Sequence, residues 1–284
     1  LNFLLQNTGF FINTNGGAQN LLSSAGGNIN DQGTATAVIF DVASGSNATA
    51  DLLVTGGLSN RSGLTKNGTG KLLFQNTTIG SGAGIFDIRI NQGTMEFGGT
   101  STLNQYSGRA FTNNGTLSWN STANQTIANA ITGTGNLTKS NTSTLTLSNS
   151  TTSYTGLTTV NAGTLAIGNN MTIGAIAGAG NLSLGTGFTL TTNASSNTTF
   201  SGVISGAGAF TKNGTGTLIL SGSNSYSGGT TVNAGTLTLS GASTGGGAVM
   251  VDGGTMNIQG NLTLGSGQFT VGNAGAGVVN QSAG

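Results

Sequence analysis

Asp31, Asp41 and Asp51 stand ten residues apart, a regular set in a chain with six acidic residues. Two carboxylates about 5 Å or about 6.5–9.5 Å apart are the equipment of a retaining or an inverting glycosidase. All three lie in Gly- or Asn-rich, turn-like surroundings, and the simpler reading is turn capping or solubility. Lys66, Lys139 and Lys212 form a second set, separated by 73 residues each. Lined up on one face they are a basic ladder for an anionic glycan; the plainer reading is a solvated lysine that guards a coil edge. Asp87 and Glu96 flank Arg89 on strand-like runs and read as its cross-strand partners. Trp119, Tyr106, Tyr154 and Tyr226 are the aromatics suited to sugar stacking. Tyr154 and Tyr226 occupy equivalent positions of a repeat, which favours packing.

What is missing excludes more chemistry than these residues supply. The 284 residues contain no Cys, no His and no Pro. There is therefore no disulfide framework, no usual zinc site and no Ser-His-Asp or Cys-His nucleophile, and no metal or cofactor is expected. Seven Lys and Arg against six Asp and Glu give a net charge of +1, which excludes the basic footprint of a nucleic-acid binder. Gly-rich runs such as Gly245-Gly246-Gly247 lack the Lys and the helix of a phosphate loop. Asn-x-Ser/Thr triplets such as Asn213-Gly214-Thr215 follow from the Asn and Thr content. Rows of outward Thr suggest an ice-binding surface, but tidy Thr-x-Thr pairs do not recur in consecutive coils. The opening Leu1 to Leu5 has no basic residue before it and meets Gln6 at once, so it reads neither as a signal peptide nor as a membrane span. A chain that opens on Leu1 instead of Met reads as processed or trimmed.

The elements that position these residues are strands. Thr144-Leu145-Thr146-Leu147, Asn181 to Leu184, Thr217 to Leu220, Thr236 to Leu239, Asn261 to Leu264 and Gln268 to Val271 place apolar residues at strand spacing between Gly, Asn and Ser. No stretch carries a capped helical stripe. Charged residues are 5% of the chain against roughly 25% in an ordinary domain, so helix formers such as Glu, Lys and Arg are scarce. The chain reads as all-β.

Internal repetition selects among all-β architectures. Residues 64–74 (LTKNGTGKLLF), 137–147 (LTKSNTSTLTL) and 210–220 (FTKNGTGTLIL) align without gaps. Residues 154–167 (YTGLTTVNAGTLAI) and 226–239 (YSGGTTVNAGTLTL) form a second aligned set. Each Asn-x-Gly-Thr or its variant predicts a turn feeding a strand with one core face, with turn glycines at Gly93, Gly115, Gly163, Gly235 and Gly254. A barrel or sandwich has no reason to repeat sequence at a fixed period, whereas a solenoid buries each coil against the next. Taking 73 residues as three coils gives about 24 residues each and roughly 12 coils in all. Leu145, Leu147, Leu165, Ile167, Leu218, Leu220, Leu237 and Leu239 are expected to point inward in stacked rows. Zero Pro agrees with strands that have hydrogen-bonded neighbours on both sides.

Residues 210–241, FTKNGTGTLILSGSNSYSGGTTVNAGTLTLSG, closely resemble the autotransporter-associated β-strand repeat of bacterial type V secretion passengers. Residues 137–168 resemble it well and residues 64–98 more loosely. The resemblance implies a secreted, right-handed parallel β-helix at the bacterial outer surface. It carries no activity, because the repeat belongs to the shaft. Members usually also have an N-terminal signal and a C-terminal membrane barrel, which leaves fragment, mature protein and filament subunit open. The expected organisation is an N-terminal cap or subunit-contact segment at 1–30 and a β-solenoid over 31–284. The expected function is a non-enzymatic stalk, adhesin shaft or self-assembling fibre subunit, with self-association or a longer passenger as partner. The second reading is a carbohydrate-binding or carbohydrate-cleaving β-helix that meets host or matrix glycans.

Overall fold

The computed structural model describes residues 37–282 apart from 46–48, 59–62, 81–86 and 106, together with the strand backbones at 2–6, 9–14, 20–22 and 28–29. Asp31 and Tyr106 lie outside the described residues, as do the side chains of the apolar N-terminal stretch. Among the described residues every regular element is a strand and no helix occurs. The chain divides into two compact units, residues 1–143 and 144–284.

In the first unit the chain winds through three parallel ladders. The first stacks Gly9–Thr14, Ala37–Val42, Gly63–Asn67, Ile88–Ile90, Phe111–Asn113 and Ile131–Gly133. The second stacks Asn20–Leu22, Leu52–Val54, Lys71–Gln75, Thr94–Gly99, Thr116–Ser121 and Asn136–Lys139. A short third side stacks Asn28–Ile29, Gly57–Leu58, Thr78–Ile79 and Thr102–Leu103. Asn2–Gln6 departs from this rule and pairs antiparallel with Gly9–Thr14.

The second unit repeats the plan with shorter coils. Its longest ladder stacks Ser153–Val160, Met171–Ala177, Thr189–Thr192, Ala209–Lys212, Thr230–Val232, Val249–Val251 and Phe269–Val271. Another stacks Thr198–Phe200, Thr217–Leu220, Thr236–Leu239, Thr255–Ile258 and Val278–Gln281. The third stacks Thr144–Leu147, Thr164–Ile167, Asn181–Leu184 and Ile204–Gly206, and is continued by single bridges through Asn224, Ser243 and Leu262. Both units are parallel β-solenoids, about 11 turns in total against the roughly 12 expected.

The coil length corrects the arithmetic drawn from the repeats. In the second unit Leu190, Phe210, Thr230, Val249 and Phe269 are successive ladder partners, a step of 19 or 20 residues instead of 24. In the first unit the partners of Leu64 run through Ile88 and Phe111 to Ile131, so three coils above Lys66 the chain has reached Ile131–Gly133. Lys139 lies one corner further on, in a different ladder. The 73-residue repeat therefore marks a strand–corner–strand unit, not a whole number of coils.

Packing follows from the period of two. The eight residues expected inward, from Leu145 to Leu239, are all buried. In-register stacking sets like upon like: Leu145 pairs with Leu165, Leu165 with Leu182, Leu218 with Leu237 and Leu237 with Met256. In the first unit Phe74 stacks on Phe97 at 5.5 Å and Phe97 on Trp119 at 4.8 Å, with Phe40 meeting Phe74 edge-on at 5.9 Å. Each such side chain removed from water stabilises the coil by about 1.5–3 kcal/mol, and the aromatic pairs add about 0.5–1.5 kcal/mol each.

Candidate functional site

Of the two described carboxylates of the ten-residue series, Asp51 serves a corner. Asp51 is buried; its Oδ1 accepts a hydrogen bond from the Gly45 N–H at 2.7 Å and its Oδ2 one from the Lys71 N–H at 2.8 Å. Asp41 lies against Gly68, where an added Cβ would sit 2.9 Å from its Oδ1. Both carboxylates act electrostatically on Lys66. Glu96 forms an ion pair with Lys71 at 2.8 Å, and also accepts hydrogen bonds from Ser118 and Asn120. This corrects the expected pairing with Arg89, because register sets Glu96 beside the strand Lys71–Gln75. Asp87 instead accepts a hydrogen bond from the Ala110 N–H at 3.1 Å.

The three repeat lysines are buried, which corrects both the solvated reading and the basic ladder. Lys66 Nζ donates to the carbonyls of Asn67 at 2.6 Å, Gly68 at 2.7 Å and Gln92 at 3.3 Å. Lys139 Nζ donates to Ser140 O at 2.6 Å and Asn141 O at 2.8 Å. Lys212 Nζ donates to Gly214 O and, in the next coil, to Ala234 O at 3.2 Å. Each ammonium fills a corner and satisfies carbonyls that the ladder cannot reach. Burial lowers the pKa of Lys66 and of Lys139 to about 8 and lowers that of Lys212. At Lys66 the charges of Asp41 and Asp51 oppose that shift.

The residues after each lysine complete the corner. Asn91 Nδ2 donates to Asn67 Oδ1, and Asn233 Nδ2 to Asn213 Oδ1, both at 2.7 Å, so the repeat asparagines ladder from coil to coil. Gly93, Gly163 and Gly235 have φ of 65°, 66° and 65°. Gly115 and Gly254 lack that conformation and are closely approached instead: a Cβ at Gly115 would lie 2.5 Å from Gly93 O, and one at Gly254 2.7 Å from Val232 Cγ1.

The three described aromatics suited to sugar stacking are interior. Trp119 is fully buried. Tyr154 and Tyr226 are buried, with hydroxyls 2.7 Å and 2.6 Å from Thr158 Oγ1 and Thr230 Oγ1. Burial pushes the Tyr226 phenol up to about 12 and raises that of Tyr154 as well, the hydrogen bonds opposing the shift in both.

Outside, hydroxyls align in one of the outward rows that the sequence suggested, at a spacing the repeats did not reveal. Ser153, Thr172, Thr191, Thr211 and Thr231 are ladder partners in consecutive coils of the second unit. Their sequence separations are 19 or 20, so a search at the 73-residue spacing passes over them.

Asp51 and the three repeat lysines are thus taken up by backbone groups of the corners. Three segments, 137–167, 210–238 and 234–258, match the passenger-associated-transport-repeat family. The looser copy at 64–98 is not among them, whereas 234–258 covers what the sequence showed only as the short echo around Gly254. A stretch of 50 residues, 18% of the chain, is 56% identical to the adhesin BmaC autotransporter of Brucella suis biovar 1 (strain 1330). That stretch spans 2% of the relative's length. No solved structure matches the chain. The chain carries repeats similar to those of autotransporter passengers, and the repeat match and the adhesin relative indicate a secreted, cell-surface protein.

Proposed function

We propose that this chain is shaft: a non-enzymatic length of passenger that spaces and stiffens, in the manner of an adhesin stalk. The observation that supports this most is the employment of Asp51, Lys66, Lys139 and Lys212 in closing corners. A buried charge engaged by backbone groups is not presented to a substrate, and continuous parallel ladders oppose bending and proteolytic opening. Incubating the pure chain with a panel of polysaccharides tests the reading: no cleavage is expected. Reproducible cleavage that disappears in Asp41→Asn or Asp51→Asn overturns it.

Self-association through residues 1–30 belongs to the same proposal. The strand Asn2–Gln6 pairs antiparallel with Gly9–Thr14, and in this proposal a second copy adds a strand along its other edge. Light scattering of the full chain and of a chain lacking residues 1–12 tests it. A full chain that is monomeric at high concentration removes the fibre role and leaves the stalk.

A further inference from the structure

We infer that the second unit carries a binding cleft for a neutral glycan on the outer face of its longest ladder. Thr151, Asn170 and Thr189 form one column, and Ser153, Thr172 and Thr191 the column two residues on. The register pairs Ser153 with Thr172 and Thr172 with Thr191, and Asn170 Oδ1 ties its column together by accepting the Thr189 N–H at 2.8 Å. Strand geometry spaces the rows about 4.8 Å apart and the columns roughly 6.5 Å apart. These six side chains line a cleft of about 220 Å³. It is smaller than the roughly 300–1,000 Å³ of a drug-sized site, which suits a single sugar ring and its linkage atoms.

The chemistry of the lining selects the ligand. Hydroxyls both donate and accept, and so match sugar hydroxyls in either sense. The side chains of Ser153, Thr172, Thr189 and Thr191 make no hydrogen bond with described residues, so their capacity is free for a ligand. Asn170 spends its oxygen on Thr189 and keeps its amide donors. Among residues 144–284 the only charged side chains are Lys212 and Asp252, and Lys212 is buried in its corner. An anionic glycan finds no counter-charge here, whereas a neutral one gives up no ionic partner on entering. Beyond the cleft Thr211 and Thr231 continue the column, offering a track for further residues of a polysaccharide chain.

The inference goes beyond the shaft reading and does not depend on it. Affinity electrophoresis of the full chain through gels containing dextran, mannan or a β-glucan, with heparin as the anionic control, tests it. At least one neutral polymer should retard the chain, and the retardation should persist in high salt, since no screened charge contributes. The double variant Thr172→Val, Thr191→Val keeps shape and strand preference while removing two hydroxyls. Its affinity should fall about tenfold or more, with an unchanged far-UV spectrum. Absence of retardation by every neutral polymer, equal retardation of the variant, or retardation by heparin alone overturns the inference. Thermal hysteresis that is lost in the variant, without sugar retention, assigns the array to ice instead.

Discussion

At Lys66 three carbonyls converge on one ammonium inside the corner, two from the turn that follows and one from the coil above. Its buried position was legible in the sequence, though the repeat drew attention elsewhere. Leu64 and Lys66, Leu137 and Lys139, and Phe210 and Lys212 are each two apart on a strand, and a period of two sends both members of a pair to the same face. The apolar member fixes that face as the interior. What the sequence could not supply was the acceptor set, because carbonyls are common to all residues and their convergence depends on the turn. Asp51 is the anionic counterpart, with both oxygens taken by backbone donors. Asp51→Asn turns one acceptor into a donor facing an N–H, and should lower stability by about 1–3 kcal/mol. Thermal unfolding of the variant measures this, and an unchanged midpoint shows that the carboxylate is not the cap it is described to be.

At the scale of elements, alternation alone located Thr144–Leu147, Asn181–Leu184, Thr217–Leu220 and Thr236–Leu239. Asn261 to Leu264 has the same alternation and yet makes only a single bridge at Leu262. It lies on the third side of the second unit, where the previous two coils also contribute single bridges. Glycines at 260, 265 and 267 flank it and leave too little strand-forming chain for a ladder. The coil period was misread for a related reason: corners differ in length, so the repeat is kept locally and lost in the sum. The interior rows were fully legible. Leu237 stands between Leu218 and Met256 in one of them, and Leu237→Asp sets an unpaired charge there. A loss above about 4 kcal/mol is expected, seen as a chain that fails to show β-sheet circular dichroism at ambient temperature. Wild-type thermal stability in that variant means that the row faces water.

For the molecule as a whole, sparse charge makes its few buried titrating groups dominate the response to pH. Lys66 and Lys139, with pKa lowered from 10.5 to about 8, hold protons less tightly folded than unfolded. Between those values the unfolded chain carries more protons, so stability rises with pH from about 8 to about 10. Tyr226, pushed from 10.0 up to about 12, works in the opposite sense. The unfolded chain loses that phenolic proton first, and stability falls as pH climbs above 10. The thermal midpoint should therefore peak near pH 10, far above the usual optimum between about pH 5 and 8. The central claim is that the repeat lysines are internal staples of the solenoid corners, not surface groups of a binding face. The thermal midpoint from pH 7 to pH 11, for the wild-type chain and for Lys66→Met, Lys139→Met and Lys212→Met combined, tests it most directly. The predicted result is a wild-type midpoint that climbs between pH 8 and 10, and a variant that is less stable at pH 7 and has lost the climb. A variant as stable as wild type at every pH, with the same profile, contradicts the account.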